Sequence, residues 1–428
     1  MRGPAAFVRA CLACLPLLIA ACGEPPRPSA TDGDVPTAPA ATSTPALQPT
    51  DPGASGSPAA QPTGTPDSTI DPGQTGATSP TPDVGLLTGI RWARVTAASE
   101  FVPGDAISDA VSLDAMLVAV GTSATDGAAV WTSRDGLAWH RSADLPKAAD
   151  STMDDVTVGP TGLVAVGSAT TGRGLVPAVW VSVDGLAWEA VDDPDLAAGE
   201  MAAVAAGPDG YVALGTDIAT GDANVVWTSA DARDWSGQQM AEAFGPQPSV
   251  SDIIRLADTY LAFGARDEQA ALWVSPGGVT WETAPDFPIA PGGVVTAAAS
   301  TGRTVAVGAN YAAAQPQAFA WSSTDGLSWV SATIGPETAA GEMLAVLPVG
   351  DGFIAVGEEG GGERGGLAAV WTTIDGVTWQ RQPHDPSFAL GRMSVVLRAG
   401  TGLVVLGEAA IDASGEEFAP AVWLGVAG

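Results

Sequence analysis

From about residue 86 onward, apolar and polar positions alternate in short runs broken by glycine, proline, aspartate or serine. Such spacing predicts strands joined by turns, with no sustained helical period. One run recurs: Leu117-Val118-Ala119-Val120-Gly121 has counterparts at 163–167, 211–215, 260–264, 304–308, 353–357 and 403–407, each ending in glycine. All 14 tryptophans lie in this part of the chain and fall into two sets in phase with the run. Trp131, Trp180, Trp227, Trp273, Trp321, Trp371 and Trp423 form one. Trp92, Trp139, Trp188, Trp235, Trp281, Trp329 and Trp379 form the other, and neighbours within a set are 46 to 52 residues apart. Seven copies of each marker mean seven repeats.

Each repeat reads as four strands. An inner strand such as residues 153–159 leads through a tight turn (Pro208-Asp209-Gly210, for example) to the glycine-ended second strand. The third strand carries the first tryptophan. A two-residue Asp-Gly turn, both of whose positions tolerate positive φ, leads to a fourth strand carrying the second tryptophan. Four short strands at this period predict an all-β, seven-bladed β-propeller of antiparallel blades. The last repeat ends soon after its third strand, whereas Gly89-Ile90-Arg91-Trp92 aligns with a turn and fourth strand that nothing precedes. The N-terminal strand is therefore expected to complete the C-terminal blade and close the ring, removing exposed sheet edges.

The turn before the fourth strand has its own signature. It reads Ser133-Arg134-Asp135-Gly136-Leu137-Ala138-Trp139, and again as Ser182, Asp184, Trp188, as Ser323, Asp325, Trp329 and as Thr373, Asp375, Trp379. Two copies are degenerate: Ala232 follows Asp231 ahead of Trp235, and Gly277 stands where aspartate is expected. This box resembles the Asp-box (BNR) repeats of sialidase-like propellers, with one residue fewer between aspartate and tryptophan. The resemblance implies that the serine and aspartate fold back on the hairpin and the tryptophan packs against the blade, a structural role.

It also raises a glycosidase. Sialidases of this fold are typically six-bladed and use three arginines, a tyrosine/glutamate nucleophile pair and an aspartate acid/base. No Arg-Ile-Pro segment stands near the first blade here, and no catalytic set is assigned from the sequence. The connections between second and third strands and between successive blades share one face and vary in length, and variable loops on a rigid scaffold are where sites are placed. Residues 168–177, 309–317, 358–366 and 408–420 are read as long loops of that face. Arg173, Arg266, Tyr311, Arg364 and Arg392 are its candidate binding residues.

Before the repeats, the chain changes character twice. Arg2 and Arg9 precede an apolar stretch from Ala10 to Ala21, the length of a signal-peptide core rather than a membrane span. It ends in Ile19-Ala20-Ala21-Cys22-Gly23, which resembles a bacterial lipobox. That resemblance implies cleavage before Cys22 and lipidation of its thiol, with more than one acyl chain for firm anchoring. Residues 24–83 are rich in Pro, Thr, Ser and Ala with almost no large apolar side chains, a composition expected to form a disordered stalk. The expected organisation is a signal peptide at 1–21, a stalk at 22–85 and the propeller at 86–428.

Charge and rare residues narrow the chemistry. With 17 basic against 48 acidic residues the net charge is −31, which argues against nucleic acid and anionic lipid as partners. All three cysteines (Cys11, Cys14, Cys22) precede the stalk, so the repeats have no disulfide. The two histidines, His140 and His384, have no metal-type spacing. Acidic loops offer oxygen ligands for calcium, yet no EF-hand spacing supports it, and no cofactor is expected. The sequence therefore points to a lipid-anchored, extracytoplasmic and monomeric binding or scaffolding module for a glycan, peptide or protein. A sialidase-type hydrolase and an assembly factor for a membrane complex are the alternatives.

Overall fold

The computed structural model describes residues 84–428 apart from 96–99, 148, 173, 197–198, 218–222, 246–247, 289, 313, 336–339, 361–365, 413–414 and 416. The leader, Cys22, the Pro-rich stretch, Arg173 and Arg364 lie outside the described residues. Seven antiparallel sheets form a β-propeller. Blade 1 comprises Ala106–Leu113, Met116–Ser123, Gly127–Ser133 and His140–Arg141, and blades 2 to 7 begin with Ser151–Gly159, Glu200–Gly207, Pro248–Leu256, Gly293–Thr301, Glu342–Val349 and Gly391–Ala399. Blade 6 carries an extra outer strand, Thr333–Ile334, paired parallel to Thr378–Arg381.

The ring closes as the sequence predicts. Ile90–Val95 pairs antiparallel with Phe418–Ala427, the third strand of blade 7, and Trp92 stands opposite Gly425. A Cβ at Gly425 would come within 2.9 Å of the Trp92 ring, so glycine there makes room for the closing tryptophan.

The recurrent glycine has a single physical cause. In every blade the inner strand slips by one residue against the second, for example between Met153 and Asp155 or between Met343 and Ala345. Such a bulge pushes a carbonyl out of line. A Cβ on the facing glycine would lie 2.1 Å from the Thr152 oxygen at Gly167, and 1.9 Å from the Glu342 oxygen at Gly357. The same bulge links neighbouring blades: Asp109, Asp155 and Asp252 accept hydrogen bonds from the amides of Val156, Val204 and Ala298 in the next inner strand.

Apolar side chains fill the wedges between blades. Val118, Val120 and Val130 of blade 1, for instance, pack with Met153, Trp180 and Trp188 of blade 2. Aromatic residues from the connections between blades cap these wedges. Phe244 lies 4.9 Å from Trp273 between ring centroids, and Phe287 the same distance from Trp321.

Three expectations are corrected. The helix-free reading misses two single-turn helices, Val84–Thr88 and Ala241–Phe244, and a short 3-10 turn at Pro386–Phe388; each buries an apolar side chain that plugs a wedge. The Asp-Gly turn is not a two-residue hairpin. Thr132 pairs with His140, and only the glycine of the dipeptide, Gly136, has a positive φ. The fourth strands of blades 1 to 4 begin just after their tryptophan. Residues 168–171 pair with 174–177 rather than forming a loop, with Ser168 opposite Pro177.

Candidate functional site

Around the mouth of the ring, on the face of the variable connections, each blade presents one cross-strand pair: the residue whose carbonyl faces the recurrent glycine, and the residue after that glycine. The pairs are Ala106 and Thr122, Thr152 and Ser168, Glu200 and Thr216, Ser249 and Ala265, Val294 and Ala309, Glu342 and Glu358, Arg392 and Glu408. Five blades carry small, apolar or singly charged pairs. Blades 6 and 7 carry only charged ones, side by side.

Tyr311 joins them from blade 5, one residue past its second strand, Arg303–Asn310. Its amide donates to the Gly292 carbonyl, which fixes the start of its loop. Its hydroxyl donates to Oε2 of Glu342 at 2.5 Å. Arg392 Nη2 donates to Oε1 of the same carboxylate at 3.3 Å, and its Nε stands 3.7 Å from Oε1 of Glu358. Side-chain exposure is 8 % for Glu342, 12 % for Glu358 and 18 % for Arg392, so the ion pairs are largely shielded from water.

Burial in this setting raises the Glu358 pKa to about 8, with the hydrogen bond to Glu342 adding to the effect. The Tyr311 hydroxyl is also pushed well above its ordinary value, first by burial and then by the Glu342 charge. Burial thus favours the protonated form of Glu358 and the neutral phenol of Tyr311 beside the Arg392 guanidinium. Arg392 Nε has no hydrogen-bond partner among the described residues. The set can accept and donate hydrogen bonds to a polar ligand, and its arginine is already engaged by carboxylates.

Of the arginines and the tyrosine singled out in the sequence, the structure gathers Tyr311 and Arg392 around Glu342. Arg266 is elsewhere, in blade 4. It donates to Thr283 Oγ1 at 3.0 Å, and that hydroxyl donates to the Ala243 carbonyl. Arg266 lines a cavity of about 190 Å³ with Asp267, Gln269, Thr283 and Phe287. Glu342 and Glu408 were not singled out as site residues, and Glu358 was read only as part of an acidic loop. Setting the repeats in register on the recurrent glycine exposes all three, because only blades 6 and 7 then carry a charge at both positions of the pair, whereas blade 3 has Glu200 opposite Thr216 and the other blades have none.

The box residues lie on the opposite face. Ser133 Oγ accepts from the Gly136 amide, and Asp135 Oδ1 accepts from the amides of Leu137 and Ala138. Ser182 with Asp184, Ser323 with Asp325, and Thr373 with Asp375 repeat the pattern. In the degenerate copy Asp231 still accepts from the amides of Arg233 and Asp234, and Ala232 takes the positive φ that glycine has elsewhere. The amides hold the carboxyls of Asp135, Asp184, Asp231 and Asp325 below the ordinary range. At Asp375 burial opposes the shift and the amides of Thr378 and Val377 prevail. Trp188, Trp235 and Trp329 donate their indole N–H to the carbonyl three residues back, while Trp139 and Trp379 are buried without that bond. No group of three or more metal-ligating side chains occurs among the described residues.

No protein-family description matches this chain, and no curated protein matches it. Solved structures do. The WD40 β-propeller domain of Doa1 is 14% identical, with 78% of this chain and 97% of that one covered at a TM-score of 0.44. The Trypanosoma rangeli sialidase in complex with sialic acid is 14% identical, with 78% and 58% covered at 0.43. The polysaccharide lyase Uly1 is 10% identical, with 76% and 90% covered at 0.47.

Proposed function

We propose that this propeller is the binding module of a membrane-anchored extracytoplasmic lipoprotein, and that it takes a glycan at the cluster of Tyr311, Glu342, Glu358 and Arg392. One observation carries the reading: three successive blades deliver the Tyr311 hydroxyl, the Glu342 and Glu358 carboxyls and the Arg392 guanidinium to one spot on the face of the variable connections. Paired carboxyl and guanidinium groups are suited to the vicinal hydroxyls of a sugar, and they recognise direction rather than bulk. The anchor rests on the lipobox around Cys22, and the acidic surface of the chain supports solubility rather than attachment to anionic lipid.

Saturation-transfer NMR on the full chain with a panel of neutral, amino and acidic sugars tests this. Saturation should pass to at least one sugar and fall several-fold in Tyr311→Phe, which removes one hydroxyl while keeping the ring. Transfer to no sugar, or transfer indifferent to Tyr311→Phe and to Glu358→Gln alike, contradicts it.

A second reading, glycoside hydrolysis, draws on the same Tyr311–Glu342 hydrogen bond, because a tyrosine activated by a carboxylate is a nucleophile. Two features weigh against it. Burial and the neighbouring carboxylate raise the Tyr311 pKa, which works against forming the phenolate. Arg392 is bound by Glu342 and Glu358 instead of standing free for a substrate carboxylate.

A further inference from the structure

The face opposite the cluster has an unexplained regularity. The residue after each box glycine is aliphatic in five of the six internal copies: Leu137, Leu186, Val279, Leu327 and Val377, with Arg233 the exception. Packing does not require this, since Leu186, Val279 and Leu327 are each more than half exposed. Two box positions just before the aspartate add Val183 at 81 % and Ile374 at 67 % exposure. Lone exposed aliphatics need no explanation, but a set that recurs with the blade period on one face points to something that covers it.

The chain itself enters through this face. Helix Val84–Thr88 buries Leu86 and Leu87 with Val349 and Ile354 of blade 6. Leu87 Cδ1 would stand 2.7 Å from a Cβ at Gly352, in the short turn between the first two strands of that blade. Gly428 donates to the Gly89 carbonyl beside it. Val84, the first of the described residues, therefore lies on the side of the box turns.

We propose that the box-turn face rests on the interfacial layer of a lipid bilayer, with the periodic aliphatics at that layer and the Glu342–Arg392 cluster turned outward. The inference rests on the anchored reading above, and it adds an orientation that a tether alone does not impose. A net charge of −31 selects a zwitterionic surface over an anionic one, and it opposes the alternative of two rings meeting face to face.

Single-cysteine variants of the full chain, purified from membranes and returned to phosphatidylcholine vesicles, test it. Val183→Cys and Ile374→Cys place a polarity-sensitive thiol probe on the box-turn face, and Ile411→Cys places one on the loop face; all three sites are exposed, so folding is not at stake. Probes at 183 and 374 should shift to the blue and be quenched by lipids brominated in the chains, while the probe at 411 should do neither. Aqueous spectra from 183 and 374 in vesicle-bound protein, or equal quenching at 411, overturn the proposal. The parent chain separates the two readings. It should take up no probe, because a lipidated Cys22 has no free thiol. Uptake there breaks the lipid-anchor reading alone, and the docking is still decided by the spectra at 183 and 374 against the parent background.

Discussion

At the recurrent glycines, replacing a hydrogen with a methyl group sets a carbon against a carbonyl. Gly264→Ala would put its Cβ 1.9 Å from the Ser249 oxygen, so the bulge or the blade must shift. Overpacking of this kind costs about 3 kcal/mol, and thermal unfolding should show it as a fall in Tm. Gly172→Ala, which meets nothing within 4 Å, should leave Tm unchanged. The glycines were legible as a repeat marker, but their reason was not. A one-residue slip in the partner strand leaves no mark on hydrophobic alternation. Glu342 escaped notice for a related reason: a lone glutamate opening a strand reads as a solvated end until the repeats are set in register.

The same residue scale fixes a pH dependence. Glu358 keeps its proton in the folded chain up to about pH 8, whereas its ordinary value is 4.5. The folded state therefore binds more protons between those values, so the contribution of Glu358 to stability is fullest below pH 4.5 and is lost as pH rises through 8. The box aspartates are shifted the other way. Their contribution is present above their ordinary value of 3.8 and is lost as pH falls through their folded values. Calorimetry should show Tm falling from pH 5 to pH 8.5, with a shallower fall in Glu358→Gln. Equal slopes in the two proteins would contradict the assignment.

At the scale of elements, the box loops and the wedge plugs hold each blade to the next. Ser323 is buried and its hydroxyl accepts from the Gly326 amide. Ser323→Ala leaves that amide without its partner and should cost about 1–2 kcal/mol by chemical denaturation. Phe244 is fully buried between Trp273 and Trp281, so Phe244→Ala should cost about 3–5 kcal/mol through the cavity left behind. The four-strand grammar could be read from the tryptophan and glycine phases, because burial imposes them in every blade. The turn length could not. Asp-Gly has the chemistry of a two-residue hairpin, yet here the aspartate side chain supplies the turn's hydrogen bonds and lets the loop run longer. The plugs were equally hidden, since single aromatics such as Phe244 and Phe287 sit in connections with no period of their own.

For the whole molecule, the ring is closed by hydrogen bonds between Ile90–Val95 and Phe418–Ala427 rather than by a covalent link. Deleting residues 86–97 removes the closing strand and the buried Leu86 and Leu87, and should lower Tm markedly. Deleting residues 24–83 should leave Tm where it was; equal melting of the two truncations would count against closure. Closure was legible in the sequence because an orphan fourth strand at one end matched a missing one at the other. The division of labour between faces was legible in part. Short repetitive turns and variable connections could be told apart, but the cluster depends on side chains from three blades that no local pattern joins.

Under the proposed function, the Tyr311–Glu342 cluster holds a glycan without cleaving it. The most direct test is turnover of fluorogenic glycosides, a sialoside among them, by the folded full chain between pH 5 and 8, alongside Tyr311→Phe. The account predicts release no faster than in buffer for both proteins. Release by the parent chain that drops about a hundredfold or more in Tyr311→Phe would contradict it and make the cluster a catalytic site.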